Sequence, residues 1–188
     1  YAEFTQILVR EVDRLNKVLE DFLHFARSDV QEQNVFEPDQ VLRDVLQLTR
    51  LQAKEKRVSI EWDEQKLPSA VGDSSQFKQV FLNLILNAVQ VLPDNGKIRV
   101  NSRVEEEKIQ MTFIDNGPGI PEADLDKIFN PFFTTKDEGT GLGLAITHRI
   151  VLNHCGQIKV ENHPEGGAQF TLTLQRAGHH CVVEVKDG

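Results

Sequence analysis

Residues 1–28 carry their apolar positions as a helical stripe. Val12, Leu19 and Ala26 are seven apart, as are Leu8, Leu15 and Phe22, and the two series interleave at alternating steps of four and three. That is the a and d spacing of a coiled coil. Phe4, Val18, Leu23 and Phe25 widen the stripe, which suits a helical bundle better than a two-stranded seam. No Gly or Pro interrupts it, and a polar stretch from Ser28 to Asn34 follows. The pattern predicts a bundle helix over 1–28 and a linker over 29–37. A helix lying on its own domain is the plainer alternative.

Beyond the linker the periodicity changes repeatedly. Pro38 suits the first turn of a helix, where its missing N–H costs nothing. That helix runs to about Lys56, with Val41, Leu42, Val45, Leu46, Leu48 and Leu51 apolar. Val58, Ile60 and Trp62 alternate as a strand. Asp73 and Gln76 have capping-box spacing and open an apolar helix to about Leu92. Pro93 to Gly96 is a turn between that helix and two strands, Lys97–Val104 and Lys108–Asp115, paired as a hairpin. A short helix from Pro121, a Gly-rich loop from Thr134 to Gly143, a helix from about Leu142 to His154 and strands over 157–162 and 167–175 complete the series. Strands beside separate helices predict an α+β fold, one sheet under one helical layer. The domain spans 38–176 and a tail 177–188, where a strand over Val182–Val185 is an option.

Composition adds limits. Of 188 residues, 21 are basic and 29 acidic, so the formal charge is 21 − 29 = −8. This disfavours nucleic acid, whose binding needs many Lys and Arg to release counterions, and an anionic membrane surface. Cys155 and Cys181 have no CxxC or Cys/His metal spacing, so neither zinc nor a disulfide framework is expected and a reducing compartment fits. No apolar run approaches the roughly 20 residues of a membrane span. The chain opens on Tyr1 inside a helical pattern, as a fragment of a longer protein does.

Three segments are too polar for their surroundings. Asn83 and Asn87 stand one turn apart (87 − 83 = 4) among Phe81, Leu82, Leu84, Ile85, Leu86, Ala88 and Val89, so both amides leave one helix face and need partners. They either cap a neighbouring loop or offer oxygen to a hard cation. Asp115-Asn116-Gly117-Pro118-Gly119-Ile120 follows an apolar strand. It is either an Asx-type turn or a carboxylate placed to accept from an exocyclic amine such as adenine's. Gly139-Thr140-Gly141-Leu142-Gly143-Leu144 opens a helix, where free N–H groups and the dipole favour an anion. It is neither a Walker loop nor a dinucleotide fingerprint. Between the last two, Phe132 and Phe133 read as core residues that anchor a loop.

In this order the segments resemble the N box, first glycine box, F box (Phe129 to Phe133) and second glycine box of the catalytic domain of two-component sensor histidine kinases, within the GHKL group of ATP-binding proteins. The likeness covers about 36–175, and residues 1–28 resemble the second helix of the family's dimerisation bundle. Gln90, where many members carry Lys, resembles the nitrogen-sensor-like subgroup. The resemblance implies a GHKL (Bergerat-type) two-layer sandwich of a mixed sheet and helices, preceded by one long bundle helix, that binds ATP and Mg²⁺ under a mobile lid. It implies that Asn87 ligates Mg²⁺, Asn83 sits beside the phosphates and Asp115 bonds the adenine amine. Gly117 and Gly119 would shape that pocket. Lys136, Gly139, Thr140, Gly141, Leu142 and Gly143 would surround the phosphates.

The implied reaction moves the γ-phosphoryl group to a histidine for relay to a response-regulator aspartate. An Asn at 83 cannot take a proton from water, so an Asn83→Glu change is expected to raise hydrolysis. The family's acceptor His is followed by an acidic residue, whereas the histidines here precede Phe25, Arg149, Cys155, Pro164, His180 and Cys181. The acceptor helix is therefore expected outside this chain, with His24 packed or solvated, and His148 and His154 at the surface or facing the linker. Expected partners are a response regulator, the histidine-bearing helix of the same or sister subunit, and a second copy through residues 1–28. The location would be cytoplasmic, whether or not the parent is a membrane-bound sensor. A nucleotide-driven conformational clamp, or a dimerisation module without nucleotide, are the competing readings. Asn83 opposes the first, and intact Asn87, Asp115 and glycines the second.

Overall fold

Period-two alternation along three neighbouring strands builds a sheet with one apolar face. A computed structural model describes residues 5, 9, 12, 19, 34–136 and 139–178. Within it stand, in chain order, β1 (Val35–Phe36), α1 (Pro38–Glu55), β2 (Ser59–Trp62), β3 (Ala70–Val71), α2 (Ser74–Val91), β4 (Lys97–Val104), β5 (Lys108–Asp115), α3 (Glu122–Leu125), α4 (Gly143–Asn153), β6 (Gln157–Asn162) and β7 (Ala168–Gln175). Five strands form one sheet in the order β2-β4-β5-β7-β6, and β1 pairs with β3 apart from it. β2 runs parallel to β4 while the other three pairings are antiparallel, so the sheet is mixed. The α+β sandwich expected from the pattern is the fold observed.

The register aligns the apolar positions. Val100 faces Phe113 across β4 and β5, and Met111 faces Leu172 across β5 and β7. These four are buried, whereas Lys97, Arg99 and Asn101 on the other face are exposed. Helices cover the apolar face: α1 packs on α2, and α2 on α4. Phe77, Val80, Phe81, Leu84, Ile85 and Val89 are the buried stripe of α2, at the helical spacing that makes one face. Phe81 approaches Phe113 with ring centroids 5.8 Å apart, which ties α2 to β5.

Four features depart from the sequence reading. Val35–Phe36, inside the segment read as linker, pairs with Ala70–Val71. Phe36 is buried and stacks on Phe77 at 4.5 Å. Two-residue strands leave no alternation to detect. His154 is buried rather than at the surface: its Nδ1 is 2.7 Å from the Ile150 carbonyl and its ring meets Phe77 edge-on at 5.2 Å. Phe132 is exposed rather than core. Cys155 is disulfide-bonded, not a free thiol, and its φ of +58° is the left-handed conformation that follows a helix end. The bundle helix lies mostly outside the described residues. Within it Thr5, Val9, Val12 and Leu19 are helical, and the three apolar ones are exposed. The strand read over Val182–Val185 lies outside the described residues. Among the described residues no helix is long and apolar enough to cross a membrane.

The start of α2 shows the predicted cap. Asp73 Oδ1 accepts from the Gln76 N–H at 3.0 Å, and the Ser75 hydroxyl donates to the same oxygen. Ser75, then the backbone N–H groups of Gln76 and Ser75, hold the Asp73 carboxyl below its ordinary 3.8, against the opposing effect of burial. A depressed carboxyl stabilises the fold above its unfolded pKa and loses that contribution as pH falls through the folded value. Asp73→Ala should therefore cost about 1 kcal/mol near neutrality. Urea unfolding at stepped pH should show the gap to wild type closing below 3.8; a gap constant across that range would contradict the charged cap.

Candidate functional site

Asp115 is the last residue of β5, between β4 and β7, and it is 6 % exposed. A buried carboxylate must be hydrogen-bonded. Its Oδ1 accepts from Gly117 N–H at 2.8 Å and Ala168 N–H at 3.2 Å. Both donors go to one oxygen, Oδ1. Gly167, at φ +87°, lies so close that a Cβ there would stand 1.8 Å from the Asp115 carbonyl oxygen. The start of β7 thus presses on the end of β5, and only glycine fits.

The loop after Asp115 is pinned at both sides. Asn116 Oδ1 accepts from Lys97 N–H at 2.6 Å, and Asn116 N–H donates to the Lys97 carbonyl at 3.1 Å. Asn162, at the end of β6, clamps Ile120: its Oδ1 accepts from Ile120 N–H and its Nδ2 donates to Ile120 O, both at 2.8 Å. Gly119 lies under the same Asn162 side chain. The sequence reading missed Asn162. Its partner is 42 residues away, and a strand-end Asn gives no spacing signal.

The two amides of α2 divide. Asn83 Nδ2 donates to the Gly143 carbonyl at 3.0 Å and lies 3.3 Å from Thr147 Oγ1. It cross-links α2 to the first turn of α4, so the capping reading holds for this nitrogen. Asn87 Oδ1 accepts from Lys136 Nζ at 3.1 Å, and the same ammonium donates to Gln90 Oε1 at 2.7 Å. Two oxygens on one helix face converge on one cation. That donor set is of the kind that suits a hard cation; here it holds the lysine ammonium.

The second glycine segment leads from Lys136 to α4. Thr134 Oγ1 accepts from Lys136 N–H at 3.1 Å, and Gly139 N–H donates to the Lys136 carbonyl at 3.2 Å. Thr140 Oγ1 accepts from Leu142 N–H at 3.3 Å. Gly141, at φ +69°, abuts the Phe132 backbone, where a Cβ would stand 2.4 Å from the carbonyl carbon. Phe132 itself has φ +66° and is 60 % exposed, an uncommon conformation for a bulky residue. Leu142 is fully buried and is the N-cap of α4 without a side-chain cap. Its side chain belongs to the core, so only backbone from this position can meet a ligand. At Gly143 a Cβ would make only ordinary van der Waals contact, 3.7 Å from the Asn83 amide. Phe129 stacks on His148 at 4.9 Å and 24°, and burial pushes the His148 pKa down, which favours the neutral ring.

Among the described residues, no cluster of three His, Cys, Asp or Glu could hold a metal. Cation chemistry here rests on amide oxygens. The structure brings Asn87 and Lys136 together, and Asn83 with Gly143. It places Asp115 with Gly117 at the end of the central strand.

Residues 72–178 match the family described as histidine kinase-, DNA gyrase B- and HSP90-like ATPase. The chain is 35 % identical over 173 residues to the sensor histidine kinase ZraS of Escherichia coli, a match covering 92 % of this chain and 37 % of ZraS. Sporulation kinase A of Bacillus subtilis is also 35 % identical, with 29 % of its length covered. The chain thus spans about a third of these curated relatives. The solved catalytic domain of histidine kinase ThkA superposes with a TM-score of 0.70 at 34 % identity, covering 78 % of this chain and 97 % of that one. ThkA crystallised with the response regulator TrrA superposes at 0.77 with 30 % identity, over 93 % of this chain and 51 % of that one. The chain belongs to the histidine kinase-, DNA gyrase B- and HSP90-like ATPase family, as a histidine-kinase catalytic domain.

Proposed function

We propose that this domain binds ATP with Mg²⁺ and transfers the γ-phosphoryl group to a histidine on a bundle helix, for relay to an aspartate of a response regulator. Asp115 carries the reading. Its buried carboxylate has one oxygen committed to backbone N–H groups and one remaining acceptor, which matches an exocyclic amine donor such as adenine's. Gly117 and Gly119 line that end. At the other end the first turn of α4 has no side-chain cap, and its N–H groups suit phosphate oxygens. Asn87 would ligate Mg²⁺, which when bound neutralises phosphate charge. Lys136, Gly139, Thr140 and Gly141 would border the phosphates, with Leu142 and Gly143 contributing backbone.

Asn83 fits a kinase better than a hydrolase, because a carboxamide cannot take a proton from water. Its hydrogen bonds add a qualification. A glutamate there would face the Gly143 carbonyl with no donor, so Asn83→Glu is expected to loosen the α2–α4 contact by about 1–3 kcal/mol. Hydrolysis by that variant is expected to rise only when the comparison is made at equal folded fraction and equal nucleotide occupancy.

The finer parts of the proposal follow the sequence. Residues 1–28 act as the second bundle helix and pair with a second copy. The segment before β1 would link them to a catalytic domain that takes in Val35–Phe36 as its first strand and runs to 176, and 177–188 would form a tail. Gln90, where many members of the family carry Lys, supports a nitrogen-sensor-like reading. ATP as substrate favours a cytoplasmic location for this part of the parent, while the disulfide at Cys155 weighs against a reducing compartment.

Two substitutions test the site. Asp115→Asn keeps an oxygen for Gly117 and Ala168 but turns an N–H₂ toward the amine. A hydrogen bond to a charged group contributes about 1.5–3 kcal/mol. Calorimetry with a non-hydrolysable ATP analogue should therefore show a roughly 10- to 100-fold weaker affinity, with thermal stability retained. Unchanged affinity would remove Asp115 from the nucleotide site. Gly143→Ala meets only ordinary van der Waals contact, so the fold should tolerate it. Analogue affinity should nevertheless fall several-fold if phosphate lies against that backbone; full retention would place the phosphates elsewhere.

A further inference from the structure

The Gln90 side chain makes the shorter of the two contacts to Lys136 from α2. Lys136 Nζ lies 2.7 Å from Gln90 Oε1 and 3.1 Å from Asn87 Oδ1. Residues 87 and 90 are three apart on α2, so their side chains share one helix face. Gln90 is exposed, and its backbone carbonyl near the end of α2 accepts from Lys56 Nζ at 2.8 Å. That carbonyl contact, from the C-cap of α1, ties down the last turn that carries the amide.

We propose that Gln90 is a positioning residue that, with Asn87, forms a two-oxygen seat for the Lys136 ammonium, and that this seat is the same one the metal of a metal–nucleotide complex must take. The proposal rests on the reading of Asn87 as the metal ligand. An ammonium offers three donors and no acceptor. A divalent cation offers only acceptor sites for oxygen. Asn87 Oδ1 can face one or the other, not both at full strength. With Lys136 seated, the start of the glycine-rich loop is parked on α2 and the Asn87 oxygen is engaged. When the metal–nucleotide complex arrives, it displaces the ammonium, and Lys136 is released toward the phosphates that come with the metal. One exchange thus couples metal arrival to loop release.

The energetics follow from a fractional population. A site competent only when unseated has an apparent dissociation constant raised by the reciprocal of that fraction. Gln90 affects the seated state alone, so removing its oxygen should favour the competent state. Thr134, Lys136 and Gly139 interlock at the loop's start, so release of the ammonium reaches the backbone of this segment.

The test uses the 188-residue chain with Gln90→Leu and Gln90→Lys. Leu removes the acceptor, and Lys sets a second ammonium against the first. Position 90 is exposed helix surface that accepts either residue. Hydrogen exchange of the amides of Thr134, Thr135 and Lys136, and of 139–142, is followed without nucleotide. Affinity for a non-hydrolysable ATP analogue is measured in magnesium and in EDTA. Both variants should exchange roughly three- to tenfold faster than wild type and bind the magnesium–analogue complex several-fold more tightly. The affinity gain should vanish in EDTA. Exchange identical to wild type in both variants overturns the seat. A fall in magnesium–analogue affinity for Gln90→Leu overturns it too, by making Gln90 a metal ligand. If wild type binds no analogue at all, the nucleotide reading fails, and the exchange comparison alone decides whether Gln90 holds the loop.

Discussion

A carboxylate buried at the end of a central strand is the constraint on which this structure depends. Asp115 sits where β5 runs out between β4 and β7. An unpaired charge there would be prohibitively costly. The chain meets the need with backbone: Gly117 N–H from the loop just after, and Ala168 N–H from the start of β7. For these donors to reach one oxygen, β7 must begin against the Asp115 carbonyl, and Gly167 makes that approach. The same requirement fixes the path of the loop, which Asn116 ties to β4 and Asn162 to β6. Four strand ends are thus organised around this one carboxylate and the loop that follows it.

The opposite wall is set by amides. Asn83 gives its nitrogen to α4 and Asn87 gives its oxygen to Lys136. Each amide has one polar atom committed, in keeping with what an apolar helix demands of embedded polar groups. The division of labour means that structure and chemistry are not separable on this helix face. The nitrogen of Asn83 holds α4 in place, and α4 presents its uncapped first turn because it is held there. A residue that looks catalytic by its position is also part of the scaffold that makes the site.

Much of the fold was legible in the sequence where periodicity is strong. β4 and β5 start and end where alternation begins and stops, and α2 lies within the span its cap announces. What escaped had no local signature. Val35–Phe36 and Ala70–Val71 are too short to alternate, and they are defined only by each other. His154 looks solvated because it follows a helix, yet the ring fills space beside Phe77. Phe132 looks like core because it is aromatic, but Gly141 claims the backbone beside it and the ring is turned out. The candidate site divides the same way. Asn87, Asp115 and the glycines declare themselves by residue type and spacing. Asn162 and Thr147 act through partners distant in the chain and can be found only in three dimensions.

The net charge of −8 also changes meaning once the donors are located. Counting Lys and Arg asks how many mobile charges a surface can set against a polyanion, and for nucleic acid that is the right question. A single triphosphate poses another. The donors proposed for it are backbone N–H groups at an uncapped helix start, which carry partial charge that no residue count records. The nearby ammonium of Lys136 is held on amide oxygens of α2, where it satisfies the same oxygens that a metal would. An acidic domain of this kind does not advertise its site electrostatically at long range. Under the proposed function it would select at contact, through fixed dipoles and the cation seated on α2.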